Sequence, residues 1–447
     1  MKNISRRAFI KGIGAAGAAA AASGFATEAQ GQNAQEKQGS MEYRTSNTGD
    51  KVSLLGYGCM RIPTIGNVRG GEFDQEAQNR LTDYAIEHGV NYFDTSPVYC
   101  GGQSEAITGR ALSRHPRDKY FIATKMSNAW GDFSFEAAKK MYDNSFKDLQ
   151  VDYIDYYLLH NIGSSVETFN ARFIDNGVLD FLVEERKAGR IRNLGWSFHG
   201  NRETFDYILS LHEKYHWDFV QIQLNYIDWR HASGRNVNAE YLYGELASRD
   251  IPMTVMEPLR GGALATVPES VSRKMLSRDP GASIASWAFR YAGSYPKVLS
   301  VLSGMTFMEH LQDNVATYTG YKPCSEEEIE FLHRIATEMV EYPLIEYTAC
   351  NYCMPCKYGL DIPSIFLHYN KCINEDLMPM SSGEKNYRKL RRAFLVGYDR
   401  SVPALRQASH CIGCKECIPK CPQFIDIPER LYKIDQFVET LKQGKEF

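Results

Sequence analysis

Four side chains able to move or hold a proton stand at or just beyond the ends of short apolar runs. Asp94 ends Val90-Asn91-Tyr92-Phe93-Asp94, and Tyr99 follows it by five residues. Lys125 ends Tyr120-Phe121-Ile122-Ala123-Thr124-Lys125, and His160 ends Tyr153-Ile154-Asp155-Tyr156-Tyr157-Leu158-Leu159-His160. A phenol ionises near pH ~10, too high for easy acid–base work at neutral pH. An ammonium beside it favours phenolate and is expected to lower that value. Asp94 would hold the ammonium in place, and His160 would hydrogen-bond a carbonyl oxygen. The set suits protonation of a carbonyl as a hydride reaches its carbon.

A second group of residues points to metal chemistry. Of 11 cysteines, eight fall from Cys350 to Cys421. Cys411, Cys414, Cys417 and Cys421, followed by Pro422, form C-x2-C-x2-C-x3-C-P. Thiolates at this spacing wrap an Fe4S4 cube, the fourth commonly serving another cluster. Zinc and disulfides are the weaker alternatives. Cys356-Lys357-Tyr358-Gly359-Leu360-Asp361-Ile362-Pro363 repeats the pattern of Cys421-Pro422-Gln423-Phe424-Ile425-Asp426-Ile427-Pro428. In that alignment Cys350 and Cys353 match Cys414 and Cys417, while Tyr347 stands where Cys411 would have its counterpart.

The elements that must position the first set are eight β-rich runs. They start near Leu54, Val90, Tyr120, Tyr153, Ile191, Phe219, Met253 and Val298. Stretches with helical apolar spacing lie between most of them, such as Glu76–His88, Phe135–Leu149, Gly177–Ala188 and Arg202–Lys214. Eightfold strand–helix alternation predicts a (β/α)8 barrel, with a doubly wound open sheet as the alternative. Barrel enzymes work at the C-terminal ends of their strands, where Asp94, Lys125 and His160 fall. A small hairpin is expected from Tyr43-Arg44 and Lys51-Val52.

Composition sets outer bounds. Hydrophobic residues make up 43% and charged residues 23% of the 447, which excludes a disordered chain. The net charge of −3 excludes the basic footprint of a nucleic-acid binder. Residues 1–30 carry Ser5-Arg6-Arg7-Ala8-Phe9-Ile10-Lys11 and then an uncharged Ala/Gly run, the pattern of a twin-arginine export signal. That run is too short to span a bilayer, and no integral membrane span is expected. Residues 31–40 read as a linker, 41–322 as the barrel and 323–447 as a helical iron–sulfur domain. The leader predicts a periplasmic location, with membrane anchoring if it stays uncleaved.

The stretches Asn91–Tyr99, Ala123-Thr124-Lys125, Tyr157–His160 and Gly195-Trp196-Ser197 resemble the aldo-keto reductase superfamily over residues 43–320. The resemblance implies Tyr99 as general acid, Asp94 and Lys125 as its tuning pair, and His160 as the group orienting the carbonyl. It also implies a nicotinamide nucleotide, NADP or NAD. Ser197 and Gln221 would meet the carboxamide, with Phe198 where the family usually has Asn. Met256 takes the place of a ring-stacking Tyr. Pro258, Leu259 and Gly261 with Gly262 would approach the pyrophosphate, and Ser303, Gly304 and Asn314 the adenine nucleotide. The cysteines resemble a ferredoxin-type tail fused to some members. Exchange of the last cysteine assigns Cys356, Cys411, Cys414 and Cys417 to one 4Fe-4S cluster. Cys350, Cys353 and Cys421 are left for a second that lacks a fourth ligand. That second site would be an Fe3S4 cluster, an Fe4S4 cluster with a foreign ligand such as Cys372, or absent. The implied function is interconversion of a small-molecule carbonyl and alcohol, coupled to cluster electron transfer and a redox partner protein. The alternative is an electron-transfer protein with the barrel as docking platform.

Overall fold

The computed structural model describes residues 39–68, 70–128 and 131–444. The expected twin-arginine leader and almost all of the expected linker lie outside these. Strands β1 (Tyr43–Thr45) and β2 (Lys51–Ser53) form the expected antiparallel hairpin, Tyr43 opposite Ser53. Eight parallel strands then close a barrel: β3 (Leu55–Gly58), β4 (Tyr92–Asp94), β5 (Phe121–Met126), β6 (Ile154–Ile162), β7 (Ile191–Phe198), β8 (Phe219–Gln223), β9 (Met253–Met256) and β10 (Val298–Ser303). Each pairs with the next, and β10 pairs with β3 to complete the ring, so the open-sheet alternative is set aside.

The eight apolar runs became strands because both faces are covered. Barrel strands read as near-continuous hydrophobic runs when side chains fill the interior and helices cover the outside. Helices follow where apolar spacing and caps agree. Gln75–Glu87 starts at Asp74 and Phe135–Leu149 at Ser134, whose side chains accept from the backbone N–H of Ala77 and Ala137. The stretch Arg202–Lys214 forms two helices, Arg202–Ser210 and His212–Tyr215, rather than one.

The packing boundary lies beyond residue 322. Helix Glu326–Met339 opens with a capping box of Ser325 and Glu328, and its Leu332, Ile335, Ala336 and Met339 join the barrel's hydrophobic core. A second core begins at Ile345. It is built on helices Ile362–Asn374, Tyr387–Ser401 and Ile427–Gln443. The sequence repeat has a structural counterpart here. Asp361 and Asp426 each cap a helix that opens Ile-Pro, accepting from the N–H of Ser364 and Glu429. Proline fits the first helical turn because its missing N–H would have no partner there.

The two cores meet over the C-terminal ends of the barrel strands. Gln423 Nε2 donates to Gln223 Oε1 at the end of β8 (2.9 Å), and Asn236 Nδ2 donates to the Pro422 carbonyl (3.1 Å). Arg61 donates to the Thr348 carbonyl at 2.8 Å. Among the described residues no helix is long and apolar enough to cross a membrane.

Candidate active site and cysteine module

β4, β5 and β6 deliver Asp94, Lys125 and His160 to one end of the barrel, and the turn after β4 brings Tyr99 over them. Lys125 Nζ lies 2.6 Å from Asp94 Oδ1 and 2.7 Å from the Thr95 carbonyl. It also sits 5.0 Å from the centre of the Tyr99 ring. Both members of the ion pair are buried. Burial raises the Asp94 pKa and lowers that of Lys125, and the charge of each partner works against that shift.

The expectation that Lys125 lowers the Tyr99 pKa is not met. Burial first, then Tyr352 and Asp94, raise that phenol well above its ordinary value. The ammonium spends its field on Asp94 and Thr95, so burial decides. Tyr99 is therefore held neutral, the state that can donate a proton.

His160 is placed by features that the apolar run does not announce. The register between β6 and β7 shifts between Leu159 and Ile162, and Asn161 adopts φ 49°. Bulges of this kind re-aim side chains beside active sites. Arg172 fixes the irregular backbone by donating to the carbonyls of His160 (2.6 Å) and Asn161 (3.1 Å). The His160 Nδ1 contacts Ser127 Oγ at 2.5 Å and Ser96 Oγ at 3.3 Å. Its ring stands edge-on to Tyr99, centroids 5.7 Å apart. Burial and the nearby Lys125 push the imidazole pKa well down, so it is neutral. Ser96, Ser127 and Arg172 escaped sequence reading because serines just past a strand and an arginine in a following helical turn (Asn170–Ile174) carry no specific signal.

These four residues open onto a cavity of about 440 Å³. All eight residues expected to hold a nucleotide line the same cavity: Ser197, Gln221, Pro258, Leu259, Gly261, Ser303, Gly304 and Asn314. Gln221 Oε1 is buried with no partner among the described residues, which fits an acceptor waiting for an amide N–H. Asn314 Nδ2 donates to Ser303 Oγ at 3.0 Å, and Ser197 Oγ accepts from the N–H of Asn161 at 2.9 Å. Gly261 has a further use that was not foreseen. A Cβ there would stand 2.0 Å from the Thr348 carbonyl oxygen, so the glycine lets the cysteine module's backbone settle on this loop. Met256 and His199 line the cavity as well.

A scan against known protein families matches the Aldo/keto reductase family over residues 54–336. The chain belongs to that family. It is an NAD(P)-dependent oxidoreductase by that membership. An L-galactose dehydrogenase of Arabidopsis thaliana is 28% identical over 298 residues, covering 61% of this chain and 86% of the relative. An aldo-keto reductase from Bacillus halodurans in its holo form superposes with TM-score 0.54 at 25% identity, covering 66% of this chain and 96% of that one. An aldo-keto reductase from Klebsiella pneumoniae, solved in complex with NADPH, has TM-score 0.51 at 20% identity, with 66% and 95% covered, and shares the fold.

The cysteines gather in the module beyond the barrel. Cys353, Cys356, Cys411, Cys414 and Cys417 line a cavity of about 200 Å³ together with Ile362, Leu431 and Tyr358. The ion pair of Lys357 and Glu416 joins the two halves of the repeat. Cys350 also lines the barrel cavity, and Cys421 is buried. Along with burial, Cys421 helps raise the thiol pKa of both Cys350 and Cys353, the two cysteines that exchange of the last cysteine groups with it. Burial pushes the Cys350 and Cys353 thiols up to about 12 and Cys417 up to about 11. Tyr347, where a fourth thiolate was missing, is buried and donates to Asn351 Oδ1 at 3.3 Å. Cys372 does not fill the gap. It is packed in helix Ile362–Asn374 with its sulfur 3.5 Å from His368 Nε2. Among the described residues no three His, Cys, Asp or Glu side chains converge on a single-ion site; the five cysteines are spread around their cavity.

Proposed function

We propose that this chain interconverts a carbonyl and an alcohol, with Tyr99 giving or taking the proton, and exchanges electrons through an iron–sulfur cluster held by its cysteine module. The observation that carries the first part is the single cavity shared by Tyr99, Lys125 and His160 with Gln221, Ser303 and Asn314. A bound nicotinamide nucleotide would supply the hydride in its reduced form, NADPH or NADH, and take it back as NADP or NAD when the alcohol is oxidised. Gln221 would accept from its carboxamide, and Asn314 with Ser303 and Gly304 would hold the adenosine end. Tyr99, kept neutral by burial, donates its proton to the carbonyl oxygen. His160 meets Ser127 through Nδ1, and the tautomer with its proton on Nε2 would donate to the same oxygen. Lys125 then faces the phenolate that forms, held by Asp94.

The cysteine spacing and the 200 Å³ cavity support an Fe4S4 cube, whose irons each take a separate thiolate rather than sharing one point. Cys356, Cys411, Cys414 and Cys417 are the proposed ligands, with Cys353 on the same wall. A cube supplies single electrons, and a redox partner protein would exchange them. The leader adds export by the twin-arginine route to the periplasm, a path that carries chains already folded around nucleotide and cluster.

The test is Tyr99→Phe, assayed for NADPH- and NADH-dependent reduction of aldehydes by protein purified without oxygen. Turnover should fall by roughly 10²-fold or more, the scale of general acid catalysis. Wild-type rates in the variant would leave the barrel as a docking platform for the electron-transfer module.

A further inference from the structure

Residues 385–420 carry nine Lys and Arg against two Asp and Glu, in a chain whose net charge is −3. Helix Tyr387–Ser401 turns much of that charge to solvent. Arg388, Arg392, Val396 and Arg400 recur every four residues and are exposed, while Phe394 and Tyr398 on the other side are buried. From Arg388 to Arg400 the stripe runs about 18 Å, at 1.5 Å per residue. Among the described residues none of its arginines, nor Arg406 beyond it, is in an ion pair. The stripe ends at the mouth of the cysteine cavity. The Arg406 carbonyl accepts from the N–H of Asp361 at 3.1 Å, and Asp361 caps the helix whose Ile362 lines that cavity. Beside Arg406, Leu405 is 81% exposed; Ile412, on the cavity itself, is 63% exposed, and Tyr358 there is exposed too. His410 Nε2, 3.1 Å from the Ala404 carbonyl, ties the loop of Leu405 to that of Ile412.

Large apolar side chains left in water and rimmed by charge mark a surface for a partner. Here the rim is positive, so the matching face is acidic. The helix has no apolar face left to sink into lipid, since Phe394 and Tyr398 are spent on the module's core. Ile412 shares the cavity wall with Cys414, the exposed member of the cysteine set, so a protein seated there comes within reach of a cube. We propose that this surface docks an acidic one-electron carrier protein, its carboxylates on Arg388, Arg392, Arg400 and Arg406 and its redox group over Leu405, Ile412 and Tyr358. One electron passes between carrier and cube, and no bond is made or broken. The inference rests on the iron–sulfur reading above and adds the kind of partner.

The experiment uses the full chain reconstituted with iron and sulfide without oxygen. The probes are an acidic plant-type 2Fe–2S ferredoxin and, as a control of opposite charge, a basic cytochrome c. Calorimetry should detect binding of the ferredoxin and not of the cytochrome. Raising salt from about 0.1 to about 1 M should abolish that binding, because the screening length shortens from about 10 to about 3 Å. Arg392→Glu with Arg400→Glu should weaken the ferredoxin about tenfold or more, and Arg392→Lys with Arg400→Lys should not. Iron content and visible absorbance equal to wild type identify variants whose module is intact. Leu405→Ser, which removes the apolar centre, should also weaken the ferredoxin and carries the comparison if the glutamate variant loses its iron. Unchanged affinity in an intact variant, or cytochrome bound as tightly as ferredoxin, would overturn the docking surface alone. Binding to phosphatidylglycerol vesicles with none to ferredoxin would overturn it in favour of a lipid surface. A wild-type chain that takes up no iron would overturn the iron–sulfur reading and this inference with it.

Discussion

Replacing Lys125 with methionine should destabilise the barrel more than any surface change, and the structure sets the size of the effect. Lys125 Nζ is 2.6 Å from Asp94 Oδ1, with the two side chains 1% and 5% exposed. Asp94 Oδ2 already has no partner among the described residues. Lys125→Met would therefore leave a buried carboxylate without its cation. Breaking a buried pair from one side costs about 3–5 kcal/mol, because the remaining charge is uncompensated. At about 1–2 °C per kcal/mol for a cooperative unit of this size, the melting temperature should drop by about 5 °C. Asp94→Asn should do comparable damage by stranding the ammonium. The double variant should be much less damaged than the sum of the two, since neither charge is then left alone. Urea unfolding followed by circular dichroism on the three variants gives the coupling energy. If the two single losses add to the double within about 0.5 kcal/mol, the pair is not coupled and the account of how Lys125 is held fails.

Three further outcomes are expected. Because burial raises the Tyr99 pKa above the ordinary phenol range, the proton donor stays protonated through alkaline pH, and kcat for carbonyl reduction should show no fall assignable to Tyr99 below about pH 10; a fall centred near neutrality that vanishes in Tyr99→Phe would contradict this. Gln221→Leu removes the buried acceptor that faces the cavity, and nucleotide affinity measured by fluorescence quenching should weaken about tenfold with little change in melting temperature. Cys411→Ser and Cys414→Ser together should abolish most of the broad visible absorbance and the iron of the reconstituted protein, whereas Cys372→Ser, packed against His368, should leave both unchanged.

The barrel was legible because its strands are buried on both faces, which writes them as apolar runs such as Tyr153–Leu159 and Val298–Leu302. The polar residues ending those runs were legible for the same reason: Asp94, Lys125 and His160 interrupt a pattern that burial otherwise keeps apolar. What supports them was not. Ser127 touches His160 directly, while Arg172 acts on it through a bulge, and a bulge leaves no mark beyond an ordinary-looking Asn161. Residues 326–339 fall within the expected tail of 323–447, and only packing assigns the leucine and isoleucine face of that helix to the barrel. The cysteine spacing led to the expectation of a cluster-holding module but said nothing of its place over the barrel mouth. Nothing in the sequence marks Tyr352, between Cys350 and Cys353, as a neighbour of Tyr99 on one cavity.

The Gln423–Gln223 and Thr348–Gly261 contacts also set an order of events during synthesis. Domains fold from the N-terminus as the chain emerges. All eight strands have left the ribosome before Thr348 exists, and Gln423 comes later still. The nascent enzyme thus passes through an interval with its mouth uncovered, and the nucleotide has its widest entrance then. Docking of the residues beyond Ile345 then narrows that entrance with Cys350, Tyr352 and Pro422.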